Sequence, residues 1–408
     1  ILRAYEEWGE NCVNRFNGMW SFAIWDKCAH KLFCSRDRLG AKPFYYWKDK
    51  EEFIFASEIK QLCENDNINR VLNEEYFNSQ IMWGLSDYSE ETMIKNIKSL
   101  RGGNNLIVTL NETDNQICDF KIYEYWDVDT VNKEEGIEEE TFRILEDAIK
   151  IRTRSDVPIG VLLSGGLDSS CIVSEITEYY KELGISNHIL NTFTSCYHNF
   201  KEGNEQNYAS MVNKYCGVKE NLYFPDAKET FQILEDMIWH LEGITDLQVI
   251  GSYLFLQEIA KTGVKVLING QGSDETQFGY ERYYAFYLRD LWRKNDIESF
   301  LRAFRNAKEN SKMSFGLLIQ YYIYFSSFYV RKFRCMQRMK KYITKDMQHV
   351  FWNNHHVDQF VKINNMQQLQ YNELRNTQLT HILRMDDRLY MSQSLESRVP
   401  YIDYRYIE

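Results

Sequence analysis

The 408-residue chain has little proline, only 4 residues, and no excess of positive charge. Lys and Arg number 48 against 59 Asp and Glu, a formal net charge of −11. An acidic chain is a poor grip for a phosphate backbone, so nucleic acid is not the expected partner. Few prolines leave little room for extended linkers. The nine cysteines (Cys12, Cys28, Cys34, Cys63, Cys118, Cys171, Cys196, Cys216 and Cys335) include no C-x-x-C pair. That excludes a disulfide framework or zinc knuckle as the organising device and points to reduced thiols in the cytoplasm. The longest apolar run, Phe315–Val330, falls short of a bilayer span of roughly 20 residues. Gln320, Ser326 and Ser327 interrupt it, so it reads as one buried helix and no membrane is expected.

What is present is aromatic and globular: 44% hydrophobic residues, 15% aromatic and 26% charged, over a length that suits two or three domains. Short alternating runs mark strands at 19–26, 31–35, 44–47, 52–56, 104–110 and 120–126, with helices at 57–63 and 73–83. This is the pattern of a mostly antiparallel sheet flanked by helices. The acidic stretch Asp127–Glu140 has no apolar period and reads as a linker. Beyond it strands and helices alternate: a helix at 139–152, strand at 159–163, helix at 169–183, strand at 190–195, helix at 206–215, strand at 221–224, helices at 229–241 and 249–261, and a strand at 264–269. Such alternation predicts a parallel sheet of α/β type. From Tyr280 onward the chain reads as almost entirely helical. The expected fold class is therefore α+β followed by α/β with a helical C-terminal part, in domains 1–128 and 138–408.

Two loops carry chemistry. The first is Ser164-Gly165-Gly166-Leu167-Asp168-Ser169-Ser170, between a buried strand and a helix start. Glycines allow close backbone approach, and the helix N-terminus presents free N–H groups to an anion. A carboxylate there, Asp168, makes sense as a magnesium ligand shared with phosphates. The Gly-Lys-[Ser/Thr] ending of a Walker A loop is absent. The bland reading is a strand-to-helix turn that needs glycine. The second loop, Asn269-Gly270-Gln271-Gly272-Ser273-Asp274-Glu275, also follows a strand. Ligands bind outside the carboxyl ends of parallel strands, so the loops are expected to converge, with Asp274 as a second magnesium ligand.

The first loop resembles the pyrophosphate loop of ATP pyrophosphatases. With the second it resembles glutamine-dependent asparagine synthetases over nearly the whole chain. Three further segments carry the likeness: Asn17–Asp26 with Ser35–Tyr46 and Phe55–Lys60; Arg384–Arg388; and Met391–Asp403. The resemblance implies a glutaminase part of amino-terminal-nucleophile type, a sandwich of two antiparallel sheets between helices, ahead of an ATP-pyrophosphatase part. It implies ATP and magnesium, conversion of aspartate to β-aspartyl-AMP, and displacement of AMP by glutamine-derived ammonia. It puts Ser164, Gly165, Gly166, Asp168 and Ser169, with Leu167 between them, on pyrophosphate. Leu162, Ser195, Asn269 and Gly270 fall where the family contacts adenosine. Asp168 and Asp274 fall on magnesium. A homodimer is the family's implication for assembly.

Three departures stand out. The family's N-terminal Cys and its glutamine-binding residues lie upstream of Ile1 in the family pattern, so glutamine hydrolysis is not expected of this chain. Gln271 stands where many members carry a Glu tied to adenylate formation, and an amide cannot act as a carboxylate base. The Lys that steadies leaving pyrophosphate falls beyond the matched segment. Both ends are therefore expected to be cut. The alternatives are an amidotransferase that adenylates another carboxylate, which Gln271 favours, and a degenerate nucleotide-binding subunit. A tRNA-thiolating or argininosuccinate-type enzyme sits poorly with the glutaminase-like first part and the acidic charge.

Overall fold

In the computed structural model, the described residues are 1–113, 116–128, 137–197, 205–225, 233–243, 248–310, 314–363 and 365–408. Among them twelve strands run in chain order. They are β1 (Ser21–Asp26), β2 (Lys31–Arg36), β3 (Tyr45–Lys48), β4 (Phe53–Ala56), β5 (Lys98–Ser99), β6 (Asn104–Leu110), β7 (Ile117–Glu124), β8 (Ile159–Leu162), β9 (Asn191–Ser195), β10 (Lys219–Tyr223), β11 (Val266–Ile268) and β12 (Glu396–Arg398). Seven helices matter below: α1 (Ile137–Arg152), α2 (Leu167–Glu182), α3 (Gln206–Cys216), α4 (Glu281–Arg293), α5 (Phe315–Ser326), α6 (Phe328–Met339) and α7 (Gln378–Ser392).

The chain divides into two compact units: Ile1–Phe44, Gly102–Ser273 and Ile382–Glu408 form the first, and Tyr45–Arg101 with Asp274–His381 form the second. Each unit draws on both sides of the acidic stretch, so domains 1–128 and 138–408 stand as a proposal about chain organisation. Residues 129–136 of the expected linker and 229–232 of the expected helix at 229–241 lie outside the described residues.

The first unit holds two sheets. The antiparallel one has the order β1-β2-β6-β7. Its register, Phe33 opposite Ile24 and Ile107, brings inward side chains of three strands together. Cys12, Val13, Trp20, Ile24 and Phe33 make the core beneath it. The other sheet has the order β10-β9-β8-β11-β12, and every pairing is parallel. β8 lies in its middle, and Val161 is fully buried, as a strand covered on both faces requires. α2 places Ile172, Ile176 and Tyr180 on one stripe against Val161 and Ile268. Fully burying each such isoleucine contributes about 1.5–3 kcal/mol. Gly184, at φ 68°, follows the end of that helix.

A buried ionic knot ties residues of the first part to the second within this unit. Asp403, whose side chain is 0% exposed, pairs with Arg152 at 3.0 Å and accepts from Asn17 Nδ2 at 2.9 Å. Arg405 donates to Asp403 and also reaches Asp147 at 2.7 Å. Burial works against the Asp403 charge, but these donors outweigh it and hold the carboxyl below its usual range. Lys42 reaches Asp387 on α7 at 2.9 Å.

The second unit carries the antiparallel sheet β4-β3-β5 and most of the late helices. Tyr45, Trp47, Ile59, Leu62 and Ile97 form the core against that sheet. The first 128 residues thus supply two antiparallel sheets, as the family resemblance implies and the strand pattern alone did not separate. β5 was not expected, because it is only two residues long. The expected helix at Phe315–Val330 is two helices, α5 and α6. Ser327 turns extended at φ −135°, ψ 122°, and its hydroxyl accepts from Val330 N–H to start α6. Nor is the run fully buried: Ile323 is 51% and Tyr329 72% exposed. From Tyr280 onward the described residues are almost entirely helical, as expected, with the short strand β12 as the exception. No helix among the described residues is long and apolar enough to cross a membrane.

Candidate active site

The chain runs β8, β9, β10 toward one edge of the parallel sheet, then returns to lay β11 on the other side of β8. This reversal opens a crevice at the carboxyl ends of β8 and β11, where open α/β sheets bind ligands. Both chemistry-bearing loops leave from there. Leu162 ends β8, Ser195 ends β9 and Asn269 follows β11, so the expected adenosine positions in this unit line one end of the sheet.

The first loop has a turn that only glycine fits. Gly165 sits at φ +79°, and a Cβ there would lie 2.6 Å from both Ala209 N and Tyr208 Cβ at the start of α3. Gly166 then takes the N-cap position of α2 in extended geometry. No side chain caps this helix. Its first-turn N–H groups are therefore left to whatever binds there. Ser164 and Ser169 brace the loop from inside. Their hydroxyls lie 3.1 Å apart, Gly166 N–H donates to Ser164 Oγ, and Ser164 N–H donates to Ser169 Oγ. Ser169 is buried, whereas Ser164, Gly166 and Leu167 are exposed, Leu167 to 84%.

Asp168 lies in the first turn of α2, half-buried. Its backbone carbonyl accepts from Tyr401 OH at 3.2 Å. Its carboxylate has no hydrogen-bond or ion-pair partner among the described residues. An acid free of protein partners, beside an uncapped helix start, has the donor chemistry for a magnesium ion that keeps phosphate and water ligands. Among the described residues no group of three or more His, Cys, Asp or Glu side chains is placed to hold a metal by itself.

The two loops meet. A Cβ on Gly270 would lie 3.3 Å from Asp168 Cβ and 3.7 Å from Ser169 N. Asn269 is buried and anchors the second loop. Its Nδ2 donates to Tyr390 OH and Ser397 Oγ, both at 3.0 Å, and its Oδ1 accepts from Gln271 N–H at 3.0 Å. Its own N–H donates to Arg398 O at the end of β12. Gln271 is exposed at the loop tip. Asp274 is exposed in the first turn of the short helix Ser273–Gln277 and opens the second unit. Its pairing with Asp168 on one cation stays a proposal.

Asp386 on α7 was not singled out from sequence. Its Oδ2 lies 3.4 Å from Asn269 Nδ2. Burial pushes its carboxyl up to about 7; Asp387 adds to the shift and the Asn269 amide opposes it. Arg384 donates to Leu241 O at 2.8 Å, and Arg388 pairs with Glu242 at 2.9 Å. These contacts fix α7 beside the crevice. The Arg-Met-Asp-Asp-Arg run was the available signal: two acids between two arginines need not all face water.

The Asparagine synthase family profile matches residues 141–408, and the Glutamine amidotransferase domain profile matches residues 1–126. The chain is 35% identical over 317 residues to a putative glutamine-hydrolysing asparagine synthetase 2 of Methanocaldococcus jannaschii, covering 74% of this chain and 57% of that protein. It is 26% identical over 423 residues to glutamine-hydrolysing asparagine synthetase 3 of Bacillus subtilis, covering all of this chain and 63% of that protein. It is also 27% identical over 304 residues to the amidase chry2 of Gibberella zeae, covering 70% of this chain and 43% of that protein. The chain therefore spans between 43% and 63% of the length of these relatives.

Proposed function

The chain belongs to the asparagine synthase family, and we propose that it joins ammonia to a carboxylate at the expense of ATP, with aspartate as the acceptor. In the proposed reaction the aspartate side-chain carboxylate attacks the α-phosphorus of ATP, giving β-aspartyl-AMP and pyrophosphate. Ammonia then attacks the acyl carbon, AMP leaves, and the nitrogen gives up a proton. The observation that carries the reading is the meeting of the two loops, with Gly270 against Asp168 and Ser169 at an uncapped helix start.

Magnesium at Asp168 and Asp274 would neutralise phosphate charge. The residues themselves do the positioning. N–H groups of the Ser164–Ser169 loop orient pyrophosphate, Leu162 and Ser195 border the adenosine, and Asn269 holds the shape of the second loop. The chain does little covalent chemistry. The ammonia is proposed to come from glutamine through the glutaminase-like residues 1–128.

The test is aspartate-dependent exchange of pyrophosphate into ATP, in wild type and Asp168→Ala. Exchange with aspartate that the substitution removes supports the reading, and wild-type exchange in the variant refutes the site. A second acceptor class is favoured by one residue. Gln271 cannot supply the negative charge of a Glu, so exchange with a different acid and none with aspartate would move the chain to amidation of that acid.

A further inference from the structure

The late helices of the second unit line an open cavity of about 700 Å³. This is within the range of small-molecule sites, roughly 300–1,000 Å³. Four rings wall it: Tyr280 before α4, and Tyr321, Tyr324 and Phe325 on one side of α5. The rings are held by each other. Tyr321 and Tyr324 meet Phe325 edge to face, with centroids 6.0 and 5.0 Å apart. Tyr280 is fixed by its hydroxyl, which donates to Glu275 at 2.6 Å, and by Arg282 stacked 4.0 Å over its ring.

The lining is also cationic. Arg334 and Arg338 line the cavity from α6, four residues apart and so on one face of the helix. Both are exposed, and neither has a carboxylate partner among the described residues. Two like charges at this spacing repel, which a shared anion would relieve. Gln320 and Gln337 add amide groups to the lining, and Glu281 is its acid. Arg282 is already spent on Glu373, although its Nη2 is buried without a hydrogen-bond partner.

We propose that this cavity is a binding site for an aromatic carboxylic acid. The ring of the ligand lies among Tyr321, Tyr324 and Phe325, and its carboxylate bridges Arg334 and Arg338. Guanidinium groups bind carboxylates through two parallel hydrogen bonds, and tyrosine faces accept planar rings. In a chain of net charge −11, a cationic pair without carboxylate partners in the same lining as four aromatic rings is a local reversal that general surface charge does not explain. The proposal does not depend on which acceptor the ATP loops use, although Tyr280 is tied to Glu275 at the end of the second loop.

The experiment is calorimetric titration of the 408-residue chain with 4-hydroxyphenylacetate, without ATP or magnesium. Saturable binding at one site is expected. Arg334→Gln with Arg338→Gln should weaken it at least tenfold, and the neutral analogue 4-hydroxyphenylacetamide should bind at least tenfold more weakly than the acid. Asp168→Ala should bind like wild type, which separates this site from the proposed ATP site. Aspartate-dependent pyrophosphate exchange should be unchanged in the double variant, showing that it is folded. No saturable binding, equal affinity in the double variant, or equal affinity for the amide would each overturn the proposal.

Discussion

Replacing Gly165 by Ala tests the pyrophosphate loop at its tightest point. The added Cβ costs twice. An L-residue at φ +79° loses about 1–2 kcal/mol. The contacts at 2.6 Å to Ala209 N and Tyr208 Cβ involve backbone that must move, an overpacking cost of about 1–3 kcal/mol. Together the substitution should cost about 2–5 kcal/mol. For a cooperative unit of a couple of hundred residues each kcal/mol shifts Tm by about 2–4 °C, so a fall of roughly 4–20 °C is expected. The loop can escape part of this by flipping away from α3, which would save stability and lose the cradle. Pyrophosphate exchange should therefore drop further than Tm alone explains. Gly166→Ala is the control. Its φ is −70°, and its Cβ would meet Ser164 Oγ at 3.2 Å, a side-chain end that can rotate. That variant should melt within about 1 °C or so of wild type, since no backbone has to yield. The measurements are a thermal melt and an exchange assay on both variants. Wild-type melting and exchange in Gly165→Ala, or equal damage in both, would refute the reasoning.

Three further outcomes are expected. Asp386 is held protonated in the fold up to about pH 7, against 3.8 for an ordinary aspartate, so its stabilisation is complete below 3.8 and is lost as pH rises through 7. Discounted for its half-buried position, that is a loss of about 1–2 kcal/mol between pH 5.5 and 8. Urea melts should show it in wild type but not in Asp386→Asn; identical pH dependence in the two would contradict it. Asp403→Asn leaves Arg152 buried without its counter-charge and should cost about 3 kcal/mol in the same melts. In native alkylation by iodoacetamide read by peptide mass spectrometry, the exposed Cys28 and Cys118 should react first. Cys34, buried and with its thiol pushed up to about 12, should stay unmodified; early labelling there would mean the β2 core opens readily.

The first loop was legible because three signals coincide there: an apolar run, two glycines and a helix period from Ser169, two residues past the helix start at Leu167. Ile159, Val161, Ile172 and Ile176 are apolar for reasons a sequence displays directly. Convergence of the loops at Gly270 and Asp168 was legible as well, since it follows from the alternation of strands and helices. β12 was not. Three polar residues, Glu-Ser-Arg, become a strand only because Leu267 and Ile268 offer an edge some 130 residues earlier in the chain. Asp386 escaped notice for a related reason: its environment is supplied by Asn269 and the buried Tyr390, and no local pattern encodes burial of an acid. The break between α5 and α6 was written in Ser326-Ser327, but an apolar run masks a cap that works by one hydroxyl.

The pairing of β11 with β12 also sets a timetable for the nascent protein. Asn269 N–H needs the carbonyl of Arg398, and its amide needs the hydroxyl of Ser397. At ribosomal speeds of roughly 5–20 residues per second, those partners emerge on the order of ten seconds after Asn269 itself. Until then β11 is an open sheet edge beside a half-anchored loop, a place for chaperones to hold and for misfolding to begin. Any message cut short before Glu396 would release a chain with its first loop intact and its second loop unmoored.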